Sequence, residues 1–167
     1  MFKVQGGITL IELLGALLLV LVVVSLALPS FASLRQQSQV RSAGMAVYAH
    51  LQLARSEAIK RNRDITLCFS GSATSGWQYH INELAHASDC ESETLATLVS
   101  LTSEQHPRVL LTMAYPEPYL IFKPRRATLT AGHIKVAQQA WAVKIITWNN
   151  GIIRTCSEHL LAGVAAC

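Results

Sequence analysis

The sequence predicts an α+β protein, with a long N-terminal α-helix packed on an antiparallel, β-sandwich-like C-terminal domain. Three observations predict it. From Ile8 to Leu28 run 21 residues of which only Glu12 is charged. From Val40 to Ala58 apolar residues recur at helical steps. Beyond residue 64 the pattern changes to short alternating runs punctuated by Gly and Pro, the mark of antiparallel strands.

The first run is long enough to cross a bilayer, since about 20 apolar helical residues span its hydrocarbon core. The competing reading is a cleaved secretory signal peptide, whose apolar region is about 7–15 residues and is followed by small residues at the cut. Here the apolar region is longer and the small residues, Gly6 and Gly7, precede it. We therefore read residues 8–28 as a retained anchor. Glu12 is costly in that setting, and an ionisable group inside a span is by default functional, with a partner to be named. The plainer alternative is a carboxylate that snorkels to the interface.

Residues 29–63 continue the helix. Pro29 removes one backbone donor, which a membrane helix tolerates with a kink. Val40, Gly44, Val47, Leu51, Ala54 and Ala58 then form one stripe, with Tyr48 and Ile59 at its edge. Such a stripe packs onto a core. Glu57 and Arg61 are spaced i,i+4 on the polar side. Lys60, Arg61 and Arg63 crowd the end near Asn62, where the helix dipole favours cations.

Residues 64–167 form the β-rich domain. Ile65, Leu67 and Phe69 alternate with polar neighbours, as do Trp77, Tyr79 and Ile81. Further strands are expected at 95–101, 108–114, 119–123, 133–138, 141–148 and 152–156. Asn149-Asn150-Gly151 between the last two signals a hairpin, because Asn and Gly tolerate positive φ.

Charge is segregated. Residues 35–63 carry +5, residues 64–104 carry −6 with no Lys or Arg, and residues 105–167 carry +5. This suits docking between subunits or an anionic partner, although solvated surfaces account for it equally well. The four cysteines, Cys68, Cys90, Cys156 and Cys167, all lie beyond the anchor. With Lys3 on the cytoplasmic side, they face an oxidising compartment that favours disulfides. Four cysteines allow three pairings. The local ones, Cys68–Cys90 and Cys156–Cys167, are preferred, and the second would tie down the tail. The rival is zinc on Cys156, His159 and Cys167, without the close cysteine pair such sites use. The six histidines show no ligand spacing, and no nucleophile elbow, phosphate loop or metalloprotease motif occurs. The sequence predicts no enzyme, cofactor or metal.

The stretch Gly7-Ile8-Thr9-Leu10-Ile11-Glu12-Leu13-Leu14 resembles the processing site of type IV pilins and type II secretion pseudopilins. The resemblance implies that residues 1–7 are a leader, cut between Gly7 and Ile8 by a prepilin peptidase, with N-methylation at Ile8. Ile8 stands where that family usually has Phe or Met. Glu12 matches its acidic fifth residue, and Pro29 matches its helix-kinking proline. Residues Leu51–Asn62 also resemble the FimT/FimU and H-type pseudopilin branch of minor subunits.

By this resemblance the chain is expected to be a minor subunit of a type IV pilus or a type II secretion pseudopilus. It would be anchored in the bacterial inner membrane with its C-terminal domain in the periplasm, placed near the tip and nucleating assembly with other pilin subunits. Two alternatives stand beside it. One is a membrane-tethered periplasmic protein that never polymerises. The other is a DNA-binding minor pilin for natural transformation, since FimT-type subunits are associated with DNA through a Gly-Arg-x-Arg element. The matching segment here is Gly151-Ile152-Ile153-Arg154, with Ile152 in place of the first Arg. Candidate DNA contacts are therefore Arg154 with Lys144, and Lys123, Arg125 and Arg126. A two-residue turn would put Lys144 and Arg154 on opposite faces, and only a loop with an odd residue count unites them.

Overall fold

A computed structural model describes residues 9–73, 76–83, 90, 97–125 and 129–167. Its elements are helix α1 (Leu10–Arg61) and strands β1 (Ile65–Ser72), β2 (Gly76–Asn82), β3 (Thr97–Thr102), β4 (Leu110–Ala114), β5 (Tyr119–Phe122), β6 (Gly132–Gln138), β7 (Trp141–Thr147) and β8 (Ile153–Ser157). The chain divides into two compact units, one ending at Gln36 and the other Gln37–Cys167.

In the first unit the helix begins at a cap. Thr9 Oγ1 accepts a hydrogen bond from the Glu12 amide at 3.3 Å, satisfying one of the donors that a helix start leaves open. The apolar side chains beyond it stay uncovered by the protein itself, with Leu10 78% and Leu26 73% exposed. This is the one helix among the described residues long and apolar enough to cross a membrane. Pro29 lies inside α1, which continues beyond it to Arg61.

In the second unit the remainder of α1 buries Val40, Ala43, Gly44, Val47, Leu51, Ala54 and Ala58. Gly44 permits the approach to β7, because a Cβ there would stand 2.9 Å from Val143 Cγ1. The helix ends where Asn62 takes a φ of 53°. The Arg63 amide then bonds the Ala58 carbonyl and the Asn62 amide bonds that of Ile59, both at 3.3 Å. This is a Schellman closure, to which Asn is suited because it tolerates the left-handed region.

Two antiparallel four-stranded sheets complete the domain, in the orders β3-β2-β1-β5 and β4-β6-β7-β8. Alternation sets the inner faces. Ile65, Leu67, Tyr79, Ile81, Leu120 and Phe122 of the first sheet share one core with Ile134, Val136, Val143 and Ile145 of the second and the helical stripe. His50 of α1 reaches the first sheet, its Nδ1 lying 2.8 Å from Tyr79 Oη. Beyond β8 the tail folds back. The Ser157 amide bonds the Ala165 carbonyl at 2.8 Å, and the Cys167 amide bonds the Ser157 carbonyl at 3.0 Å.

Candidate functional site: a capped apolar helix and a basic sheet face

Glu12 is the single charge in the apolar run, and it lies three residues past the capping Thr9. Thr-x-x-Glu is the pattern of a capping box, so its carboxylate stands in the first turn, where the helix dipole favours negative charge. The cap is legible as Thr9-Leu10-Ile11-Glu12, but sequence reasoning missed it because the surrounding apolar run makes the charge itself the conspicuous feature. Gly7 and Ile8 lie outside the described residues.

The four cysteines form two disulfides, Cys68–Cys90 and Cys156–Cys167. Cys156 and Cys167 are thereby spent as thiolate ligands. Among the described residues no cluster of three or more His, Cys, Asp or Glu could hold a metal ion.

The basic residues separate by sheet. Lys123 and Arg125 are exposed at the end of β5 in the first sheet, and Arg126 is outside the described residues. Lys144 and Arg154 belong to the second sheet. Thr147 pairs with Ile153, so the β7–β8 hairpin has a five-residue loop, 148–152. Inside it the Gly151 amide bonds the Trp148 carbonyl at 2.9 Å and the Trp148 amide bonds that of Ile152 at 3.0 Å. Gly151 has a φ of 78°, a conformation that glycine adopts without strain. The odd count pairs Ile146 with Arg154, which puts Lys144 and Arg154 on the same outer face. Lys135 joins them, because it pairs directly with Lys144.

Two features modify this face. The Arg154 guanidinium lies 5.8 Å from the centre of the Trp148 ring, within cation–π range. Glu158 Oε2 accepts from Lys135 Nζ at 2.9 Å and Oε1 from Lys144 Nζ at 2.5 Å. Those two lysines hold the Glu158 carboxyl down at about 2. Sequence reasoning missed Lys135 and Glu158, which meet across 23 residues. The alternation of β6 could have placed Lys135 outward. The same alternation, carried from Arg154 and Cys156 one residue past β8, could have placed Glu158 on that face.

At the other end of the domain, Arg61 bonds both Glu57, at 2.6 Å, and Glu83, at 3.3 Å, while Arg63 bonds Glu83 at 2.9 Å. These pairs neutralise much of the basic cluster that closes α1. The charge segregation seen along the chain is thus partly cancelled in space.

A long apolar helix continued by an amphipathic half on antiparallel sheets is a pilin-like α+β build. The family model described as "Type II transport protein GspH" matches residues 43–151. The chain belongs to this family. The crystal structure of the type IV minor pilin FimU of Pseudomonas aeruginosa PAO1 is similar at 22% identity and a TM-score of 0.52, covering 69% of this chain and 90% of that one. A second crystal form of FimU gives 21% identity and a TM-score of 0.55, covering 70% of this chain and 87% of that one. The minor pseudopilin EpsH of the Vibrio cholerae type 2 secretion system gives 13% and 0.55, covering 73% and 99%. At these identities the likeness is one of fold. Among curated proteins no relative matches. Glu12, Arg154 and Glu158 all lie outside the stretch that the family model covers.

Proposed function

We propose that this chain is a minor pilin or pseudopilin subunit, processed between Gly7 and Ile8 by a prepilin peptidase and methylated at Ile8. Residues 8–28 then anchor it in the bacterial inner membrane, with 64–167 in the periplasm. From there it enters a type IV pilus or a secretion pseudopilus near the tip and nucleates assembly with other subunits. The observation that carries this reading is Glu12, one acid in an otherwise apolar helix whose side chains stay exposed. An amine created at Ile8 of a staggered neighbour neutralises that acid only when subunits pack in register, so a charge that is costly in lipid favours assembly. Methylation keeps the amine positive. The two disulfides fit an oxidising periplasm.

The test is the mass of the chain extracted from membranes, together with its presence in sheared filaments. Loss of residues 1–7 with one added methyl group, and recovery in filaments, is the expected result. A chain still beginning at Met1, or absent from every filament, overturns the proposal.

A second reading, DNA capture, is favoured by one observation: the five-residue hairpin loop unites Lys144 and Arg154 with Lys135 on one sheet face. Phosphate contacts of this kind give affinity that falls with salt. Absence of a salt-sensitive shift of duplex DNA by the full chain in nonionic detergent disposes of this reading without touching the first.

A further inference from the structure

We propose that Lys135 and Lys144 form a phosphate seat on the outer face of the second sheet, and that Glu158 closes this seat from within the chain. The inference rests on the DNA-capture reading and adds a control to it.

The lysines sit directly opposite one another on β6 and β7. Like charges so placed repel and destabilise a strand pair, so the arrangement needs an anion between them. Glu158 supplies one, giving a separate carboxylate oxygen to each ammonium. Its position is imposed by the chain. It is the first residue after β8, inside the ring closed by Cys156–Cys167. Ser157 beside it is pinned three ways, through its amide to Ala165, its carbonyl to Cys167 and its hydroxyl to the Ala142 carbonyl at 2.9 Å. The tail ring therefore carries a carboxylate to the place where two oxygens of a phosphodiester would bridge the same two lysines.

Arg154, on the next strand, continues the row across β6, β7 and β8. Its guanidinium is steadied over the exposed Trp148 ring and no acid pairs with it among the described residues. In the closed state Arg154 alone of these three cations has no carboxylate on it among the described residues. When Glu158 is withdrawn, all three stand without one.

Each phosphate neutralised steepens the dependence of log K on log salt by about 0.9. Opening the seat, which admits one phosphodiester bridging both lysines, therefore steepens the slope by ~0.9. Between 50 and 200 mM salt, the advantage of an opened protein over the wild type then shrinks by about 3.5-fold.

The experiment is fluorescence anisotropy of labelled duplex DNA with the full chain in nonionic detergent over a salt series. Wild type is compared with Glu158→Gln, with Glu158→Gln/Lys135→Gln/Lys144→Gln, and with Glu117→Gln, which removes one negative charge from the β4–β5 loop. Tighter binding and a steeper slope for Glu158→Gln alone, abolished in the triple variant, is the expected result. Equal affinity and slope for Glu158→Gln and wild type overturns the closed seat and leaves the DNA reading standing. No binding by the wild type at 50 mM salt overturns both. A gain that Glu117→Gln reproduces, or that the triple variant keeps, is a net-charge effect and overturns the seat. Should Glu158→Gln lose the circular dichroism of the wild type, Glu158→Asp decides. It keeps the charge but is too short by one methylene to hold both lysines, so an intermediate gain is expected, and wild-type behaviour overturns the seat.

Discussion

His50 is a polar residue set against the core. Its ring meets the Tyr79 ring edge-on, with centroids 5.9 Å apart, and Nδ1 lies within hydrogen-bond reach of Tyr79 Oη. Burial, and secondly the charge that His106 would bring, hold its pKa below the ordinary imidazole value; burial alone lowers that of His106. A histidine depressed in the folded state takes up its proton more readily when unfolded. Its contribution is therefore intact above the unfolded value of about 6.5 and is lost as pH falls through that value. The carboxyls run in a separate window. Glu57 is lowered chiefly by its hydrogen bond from Arg61, and Glu158 by those from Lys144 and Lys135. What they contribute is complete above the ordinary carboxyl value and disappears only as pH falls towards about 2 for Glu158. Denaturation of the full chain in detergent should thus show a stability decline between about pH 7 and 5, before any carboxyl titrates. His50→Gln should make that decline smaller, since it removes one of the histidines whose burial favours the neutral form. An unchanged slope would show that His50 contributes nothing to it.

At the scale of the element, α1 shows how much a sequence can disclose. The steps of three and four from Val40 to Ala58 define the buried stripe, which includes Ala43 as well. Leu51 is fully buried and Leu53, two residues on, is 37% exposed. Leu51→Ala should destabilise the domain by about 2–5 kcal/mol, the cost of a large-to-small core change. Leu53→Ala should change stability by no more than about 0.5 kcal/mol. Chemical denaturation of the two variants checks the contrast, and equal losses would mean that the helix packs through another face. The strands were legible for the same reason, since a period of two survives wherever one face is buried. Their order was not. Nothing in Tyr119–Phe122 announces that β5 leaves its sequence neighbours and pairs with β1. The hairpin signal at Asn149-Asn150-Gly151 located the turn, but the loop length depends on the bonds that Trp148 makes. That length decides whether Lys144 and Arg154 share a face. Glu158 continues the period of two from Arg154 and Cys156 one residue past β8, and it was missed because the strand expected from the sequence stopped at 156.

At the scale of the whole molecule, everything proposed for assembly depends on why an acid is kept at residue 12. Two physical roles compete. As the third helical residue, Glu12 serves the start of α1, where a carboxylate interacts favourably with the dipole and Thr9 caps its amide. A role confined to this is worth about 1 kcal/mol or less and is local. As a charge facing lipid, it costs free energy in the lone subunit and recovers it only against a neighbour's terminal amine. The roles separate by substitution in cells that also make the partner subunits. Thr9→Ala removes the cap and leaves the charge. Glu12→Gln keeps the length and hydrogen-bonding capacity and removes the charge, and Glu12→Ala removes both. If pairing with a neighbour decides incorporation, both Glu12 variants should remain in the membrane fraction and fall at least about tenfold in sheared filaments, the equivalent of ~1.4 kcal/mol. Thr9→Ala should assemble within about twofold of wild type. Quantitative immunoblotting of membrane and filament fractions reads this directly. Equal incorporation of Glu12→Gln and wild type would leave the acid as a helix cap, and a loss in Thr9→Ala as large as in Glu12→Ala would lead to the same conclusion. A loss shared by the two Glu12 variants alone would identify the charge as what couples this anchor to its neighbours.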